Sequence, residues 1–229
     1  MFSKKQGIWL IYGVLSISSI LTIILLILNK AHIILRQEDI IFSLFSMAVI
    51  IVLILVTTRT QLFREILNKK LTPRNQFVYI MLFGIFAILA TVLSFYFASY
   101  KINFRDLVSG FAGLVAGPVV GVLVGLIGTV HRIFMGGATA IPCAIACTIS
   151  GLFAGLIYYF NDGDFIGLLP SIAFITLMEG LHMFLILVLT VPFTAGLEMV
   201  EGIAVPMLLS TIIGMFILGL MVKDETKKK

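Results

Sequence analysis

The chain has 229 residues, 60% of them hydrophobic and only 12% charged. Soluble domains carry roughly twice that charged fraction, so a water-soluble globule is excluded, and the short alternating segments of a membrane β-barrel are not seen. The formal charge of +5 does not argue for nucleic acid, because much of the positive charge falls in short clusters outside the apolar runs, where membrane orientation requires it.

Lys4 and Lys5 precede the first apolar run, Ile8–Leu28. That run is too long for a signal-peptide core and no small-residue cleavage site follows it, so it reads as a retained span. A second run covers Ile40–Thr57. The loop after it is basic, with Arg59, Arg64, Lys69, Lys70 and Arg74 against a single acid, Glu65. A third run covers Phe77–Ala98. Asp106–Val130 differs in kind: it carries Gly110, Gly113, Gly117, Gly121, Gly125 and Gly128, with Pro118 in the middle. Three more runs follow, Thr139–Phe160, Gly167–Val191 and Val200–Val222, and then a tail with Lys223, Lys227, Lys228 and Lys229. The predicted fold is all-α: a polytopic helical membrane protein with about six full spans.

Positive-inside bias places all the basic clusters, and so both termini, in the cytoplasm of a cell-membrane protein. That requires an even number of crossings. Counting Asp106–Val130 as a crossing makes the number odd. Pro118 pushes Gly117 away from helical geometry, so the segment is predicted to turn back as a re-entrant hairpin. Its two half-helices of about twelve residues reach only about 18 Å each, and protein or a cavity must cover them. The competing reading is a continuous glycine-rich helix packed closely on its neighbours; only the hairpin satisfies the charge count. It also brings Arg105 and Arg132 toward the same outer face.

Ionisable groups at membrane depth are costly and usually mark function. Arg105 and Arg132 are permanently charged forks that grip a carboxylate or phosphate at two points. Singly, each has a plain alternative: Arg105 pairs with Asp106 or caps a helix, and Arg132 snorkels. As a pair beside a glycine-rich break they point to an anion pocket. Gly136 and Gly137 precede a helix starting near Thr139, where free amides and the positive dipole end favour an anion; Gly-Gly is also a plain turn. Cys143, about one turn in, lines the pocket or simply packs, and Cys147 is read as packing. With the two cysteines four residues apart in one apolar segment, no disulfide framework is expected. Glu179 and His182 share one helix face. They bond to each other, balance the arginines, or relay a proton, and the sequence does not separate these. A single Glu-x-x-His copy does not suffice for a di-iron site, so no metal is expected. Phosphate-binding loops, nucleophile elbows and zinc spacings are absent, so neither a cofactor nor enzymatic chemistry is expected on this chain.

The stretch NFRDLVSGFAGLVAGPVVGVLVGLIGTVHRIFMGGATAIPC, then SGLFAGLIY, EGLHM and IAVPMLLSTIIGMFIL, resembles the LytS-type five-transmembrane sensor domain over roughly Val78 to Met221. The Asn-x-Arg, Ala-Gly-Pro, His-Arg-x-x-x-Gly-Gly and Pro-Cys elements occur in order. They include Asn103 and His131 beside the two arginines. The resemblance implies a signal-input receptor, fused in other members to a histidine kinase or diguanylate cyclase. It further implies a pyruvate-like ligand held by Arg105, Arg132 and Cys143. The hydroxyl that some members carry three residues after the cysteine is here Ala146, which puts the exact ligand in question. The chain then divides into a two-span extension with its basic loop (1–75), a sensor domain (76–222) and a basic tail (223–229). It is either a stand-alone receptor or part of a longer protein. A kinase or cyclase partner, in trans or on a further C-terminal portion, is expected, as is pairing of two copies. The alternative function is a substrate-capturing membrane subunit of a small-molecule transporter, since broken helices around a polar site also serve transport.

Overall fold

Backbone in lipid has no water to bond, so each span must satisfy its amides internally. The computed structural model describes residues 4–32, 37–70, 72–97 and 104–227, and does this with helices throughout. In chain order they are α1 (Lys4–Leu28), α2 (Gln37–Thr58), α3 (Gln61–Leu67), α4 (Pro73–Phe97), α5 (Arg105–Ala116), α6 (Pro118–Met135), α7 (Ala140–Phe160), α8 (Leu168–Leu189) and α9 (Phe193–Lys227). Stretches of α1, α4, α6, α7, α8 and α9 are long and apolar enough to cross a membrane. The described Leu44–Thr58 part of α2 qualifies only together with α3, from which an 81° bend separates it. Large apolar side chains such as Trp9, Ile17, Leu123 and Ile141 cover the outside of the bundle, as a lipid-facing surface requires. The chain is a polytopic helical membrane protein.

Contacts gather Lys4, Arg59, Arg64 and Lys69 at one end. Lys4 pairs with Asp162 and Lys69 with Asp164 at 2.9 Å. The hydrogen bond that Lys69 donates to Asp164 raises its ammonium above the ordinary range. Arg59 and Arg64 both reach the Glu225 carboxylate, at 3.2 and 3.3 Å. The start of α1, the α2–α4 connection, the α7–α8 loop and the last turns of α9 therefore share this basic end. At the opposite end the His32 amide donates to Glu201 Oε1 at 2.7 Å. Thr60 caps α3 by accepting from the Phe63 amide, which turns the chain sharply out of α2. The last helix is longer than its apolar run: α9 starts at Phe193 rather than near Val200 and runs through the lysines to Lys227. Hydropathy alone misses its ends because Glu198, Glu201 and Lys223 are polar.

The Gly/Pro break is real and the chain folds back there. Gly117 has φ +90°, a left-handed value that a side chain would strain, and Pro118 opens α6, where its missing N–H costs nothing. Antiparallel arms result: a Cβ added to Gly121 would lie 2.8 Å from Gly113 Cα across the hairpin. The arms are unequal, unlike the two short halves the sequence suggests. All twelve residues of α5 are buried, while α6 has 18 residues and is long enough to cross. The reason is local. No breaker follows Pro118 until Gly136, and the glycines between them press on α7 instead of ending the helix. The turn itself reaches the Tyr158 ring, late in α7. Both ends of the hairpin, Arg105 and Arg132, nonetheless lie away from the basic end.

An aromatic cluster fixes the inner arm. The Phe111 ring of α5 lies 6.4 Å from Phe63 of α3 and 6.1 Å from Phe83 of α4, and Tyr79 stacks on Phe83 at 4.2 Å. Phe111→Ala is expected to cost about 3 kcal/mol, read as a lowered melting temperature in detergent. A wild-type melting curve would show that the α3–α4–α5 contact is dispensable.

Candidate functional site

Arg105 is the first residue of α5 and the largest fully buried side chain. Its Nη1 donates to Thr91 Oγ1 of α4 at 3.1 Å. Among the described residues its Nε and Nη2 have no hydrogen-bond partner. Those two groups form the side edge of the guanidinium, whose N–H bonds run parallel, the geometry that takes both oxygens of one carboxylate. Arg132 lies in the last turn of α6 and is 4% exposed. It donates through Nη1 to the Gly136 carbonyl and through Nη2 to Thr139 Oγ1 at 3.1 Å. The two cations interact electrostatically with each other and with Cys143.

Gly136 and Gly137 turn the chain with φ of +65° and +98°. The Gly136 amide is already bonded to the Ile133 carbonyl at 3.0 Å, and the loop's carbonyl, not its N–H, faces the site by holding Arg132. His131 is half-buried, its Nδ1 has no hydrogen-bond partner among the described residues, and it feels the charge of Arg105. Asn103 lies outside the described residues.

Cys143 and the acid–imidazole pair are brought together. His182 Nε2 lies 3.2 Å from Cys143 Sγ. On the other side of the ring, His182 Nδ1 lies 2.7 Å from Asp106 Oδ2 and 3.7 Å from Glu179 Oε2. Asp106, Glu179 and His182 are each 0% exposed. The nearest partner of His182 is thus Asp106, not the Glu179 that shares its helix face. Among the described residues no ion pair joins Arg105 to Asp106: adjacent in sequence, they face different neighbours. Ser150 donates to the Asp106 carbonyl at 2.8 Å and Ser109 to the Cys147 carbonyl at 2.9 Å, locking α5 against α7. The Cys147 thiol contacts the Ser109 hydroxyl at 3.8 Å and packs against Gly128, which suits a packing role.

Asp106 is the residue that sequence reasoning passed over. The signal was available, since it is an ionisable group inside an apolar segment like Arg105, Arg132, Glu179 and His182, but beside Arg105 it looked already neutralised. Ligand atoms of Asp106, Glu179 and His182 all fall within 4.8 Å of one another, so the three could hold a metal. Two ligands on one zinc-sized ion sit about 3.3 Å apart when the bonds are about 2.0–2.1 Å. The 2.7 Å between Asp106 Oδ2 and His182 Nδ1 is tighter than that, so the two side chains meet directly.

A description of the "5TMR of 5TMR-LYT" family, 5TM-5TMR_LYT, matches residues 60–225. The sensor histidine kinase BtsS of Escherichia coli (strain K12) is 29% identical over 174 residues, 74% of this chain and 31% of that protein. The sensor protein LytS of Bacillus subtilis (strain 168) is 28% identical over 195 residues, 77% of this chain and 33% of that protein. The sensor histidine kinase YpdA of Escherichia coli (strain K12) is 29% identical over 188 residues, 80% of this chain and 33% of that protein. The chain spans about a third of the length of these curated relatives. No solved structure matches it.

Proposed function

Because the chain belongs to the 5TMR-LYT family of LytS-type five-transmembrane receptor domains, a transmembrane sensor-input module, we propose that it binds a small pyruvate-like carboxylate through Arg105 and Arg132. One observation carries this reading: a fully buried guanidinium presents a two-donor edge with no hydrogen-bond partner among the described residues, with a second arginine acting on the same thiol. A buried charge without hydrogen bonds is costly, and a carboxylate supplies the missing acceptors and the opposite charge together.

The basic end faces the cytoplasm in this proposal, by the positive-inside rule. Both termini then lie inside, and the Gly136–Thr139 loop opens outward in the cell membrane. The ligand enters beside that loop. Its arrival neutralises the arginines, whose neighbours include α4, α7 and α8, and α9 carries the change to the basic end, where Arg59 and Arg64 grip Glu225. A histidine kinase or diguanylate cyclase receives it, in trans or on a further portion of the protein, and two copies pair to do so. Ala146 at the position of the family hydroxyl is fully buried, so the ligand is held here by charge and by Cys143 rather than by that hydroxyl.

The orientation has a direct test. Ala138 is exposed in the α6–α7 loop. In a variant lacking both native cysteines, Ala138→Cys is expected to react with a membrane-impermeant maleimide added outside whole cells. Labelling only in inverted vesicles would reverse the orientation and remove the external entry route.

A further inference from the structure

A cysteine that merely packs is surrounded by apolar groups. Cys143 is not. It is 4% exposed, its Sγ lies 3.2 Å from His182 Nε2, and it interacts electrostatically with Arg105 and Arg132. Behind the imidazole, Asp106 Oδ2 lies 2.7 Å from Nδ1. Asp106 sits on α5, His182 on α8 and Cys143 on α7, so three separate helices assemble a line of acid, imidazole and thiol. Each member has a defined consequence. A carboxylate at Nδ1 keeps the proton there and leaves Nε2 free to accept one from sulfur. The thiolate, formed when the imidazole takes the sulfur's proton, is the nucleophilic form. The plain reading, that Asp106 and His182 only neutralise each other in the bundle, does not require the free ring nitrogen to face the thiol on which both arginines act.

We propose that Cys143 is a nucleophile, activated by His182 and Asp106, that captures the ligand reversibly as a covalent adduct. The ligand class that fits is a 2-oxo carboxylate. The arginines hold its carboxylate, and the adjacent carbonyl carbon is the electrophile within reach of Sγ. This rests on the carboxylate reading above and adds the bond. His182 Nε2 takes the thiol proton as Sγ adds to the carbonyl carbon. The π pair of the C=O bond moves onto oxygen, which receives the proton back from Nε2. The product is a thiohemiketal. Nothing is oxidised or reduced and no group leaves, so the step reverses when the ligand departs. Asp106 and His182 are positioning and proton-holding residues. The same pocket would bind 2-hydroxy acids less tightly, because they offer the carboxylate without the electrophile.

The test uses the full chain in nanodiscs with pyruvate labelled with carbon-13 at C2, alongside identically labelled lactate. The expected result is a bound-pyruvate resonance moved from the ketone region to that of a tetrahedral carbon carrying oxygen and sulfur, with lactate unmoved and bound about tenfold or more weakly. In Cys143→Ala the tetrahedral signal disappears. In His182→Gln the adduct forms more slowly at a given pH, and its rate loses the dependence on pH that a proton-accepting imidazole confers. Melting curves show that each variant is folded, and the wild-type spectrum needs no variant at all. Pyruvate that binds saturably but keeps its ketone resonance overturns the covalent step and leaves the arginine site standing. Failure of pyruvate to bind overturns the carboxylate reading and this proposal with it.

Discussion

Arg105→Ala is expected to abolish saturable binding of small carboxylates. The side chain is buried, anchored through Nη1 to Thr91, and offers Nε and Nη2 without hydrogen-bond partners among the described residues. Charge-assisted hydrogen bonds contribute roughly 1.5–3 kcal/mol each, so losing both donors should weaken binding by about a hundredfold or more. Arg132→Ala should weaken it less, about tenfold, because two of its donors are already committed to Gly136 and Thr139 and only the remainder can reach a ligand. Arg105→Lys separates charge from geometry. An ammonium keeps the positive charge but has no parallel donor edge, so binding should fall nearly as far as in the alanine variant. Calorimetric titration of pyruvate into nanodisc-embedded protein measures all three. Wild-type affinity in Arg105→Ala and Arg132→Ala would mean that the carboxylate, if bound at all, sits elsewhere.

Much of this site could be read from the sequence because its elements are local. Gly117–Pro118 announced the reversal, and the reversal placed Arg105 and Arg132 on the same side. Glu179 and His182 share a helix face by spacing alone, and the structure keeps them together at 3.7 Å. The unread parts are those that depend on which helices meet. Asp106 reaches His182 only because α5 packs against α8, and nothing in either segment announces that contact. The direction of the Gly136 carbonyl is a backbone detail fixed by two left-handed residues. It decides whether the loop offers donors or acceptors, and composition carries no trace of it. Close packing of the glycines belongs to the competing continuous-helix reading, yet it holds within the hairpin. Except at Gly117, the structure uses them for space.

That use of space makes the last prediction the most severe for the fold. A Cβ on Gly151 would lie 2.0 Å from the Gly121 carbonyl oxygen, and one on Gly121 would lie 2.2 Å from the Gly151 oxygen. Each obstruction is backbone, so no rotamer change relieves it, and the α6 and α7 axes must separate. Those helices carry Arg132 and Cys143, so separation also breaks up the site. Overpacking against a movable side chain costs typically about 1–3 kcal/mol; against a carbonyl on a neighbouring helix the cost should reach or pass the top of that range. Gly151→Ala is therefore expected to lower the melting temperature sharply, and Gly151→Leu to prevent folding. Gly13 supplies the contrast. It is helical, exposed, and a Cβ there meets nothing within 4 Å, so Gly13→Ala should be neutral or stabilising by about 0.5–1 kcal/mol. Thermal unfolding of the three variants in one detergent decides the matter. If Gly151→Ala and Gly13→Ala melt alike, the α6–α7 contact is not the backbone-to-backbone seam that positions Arg132 against Cys143.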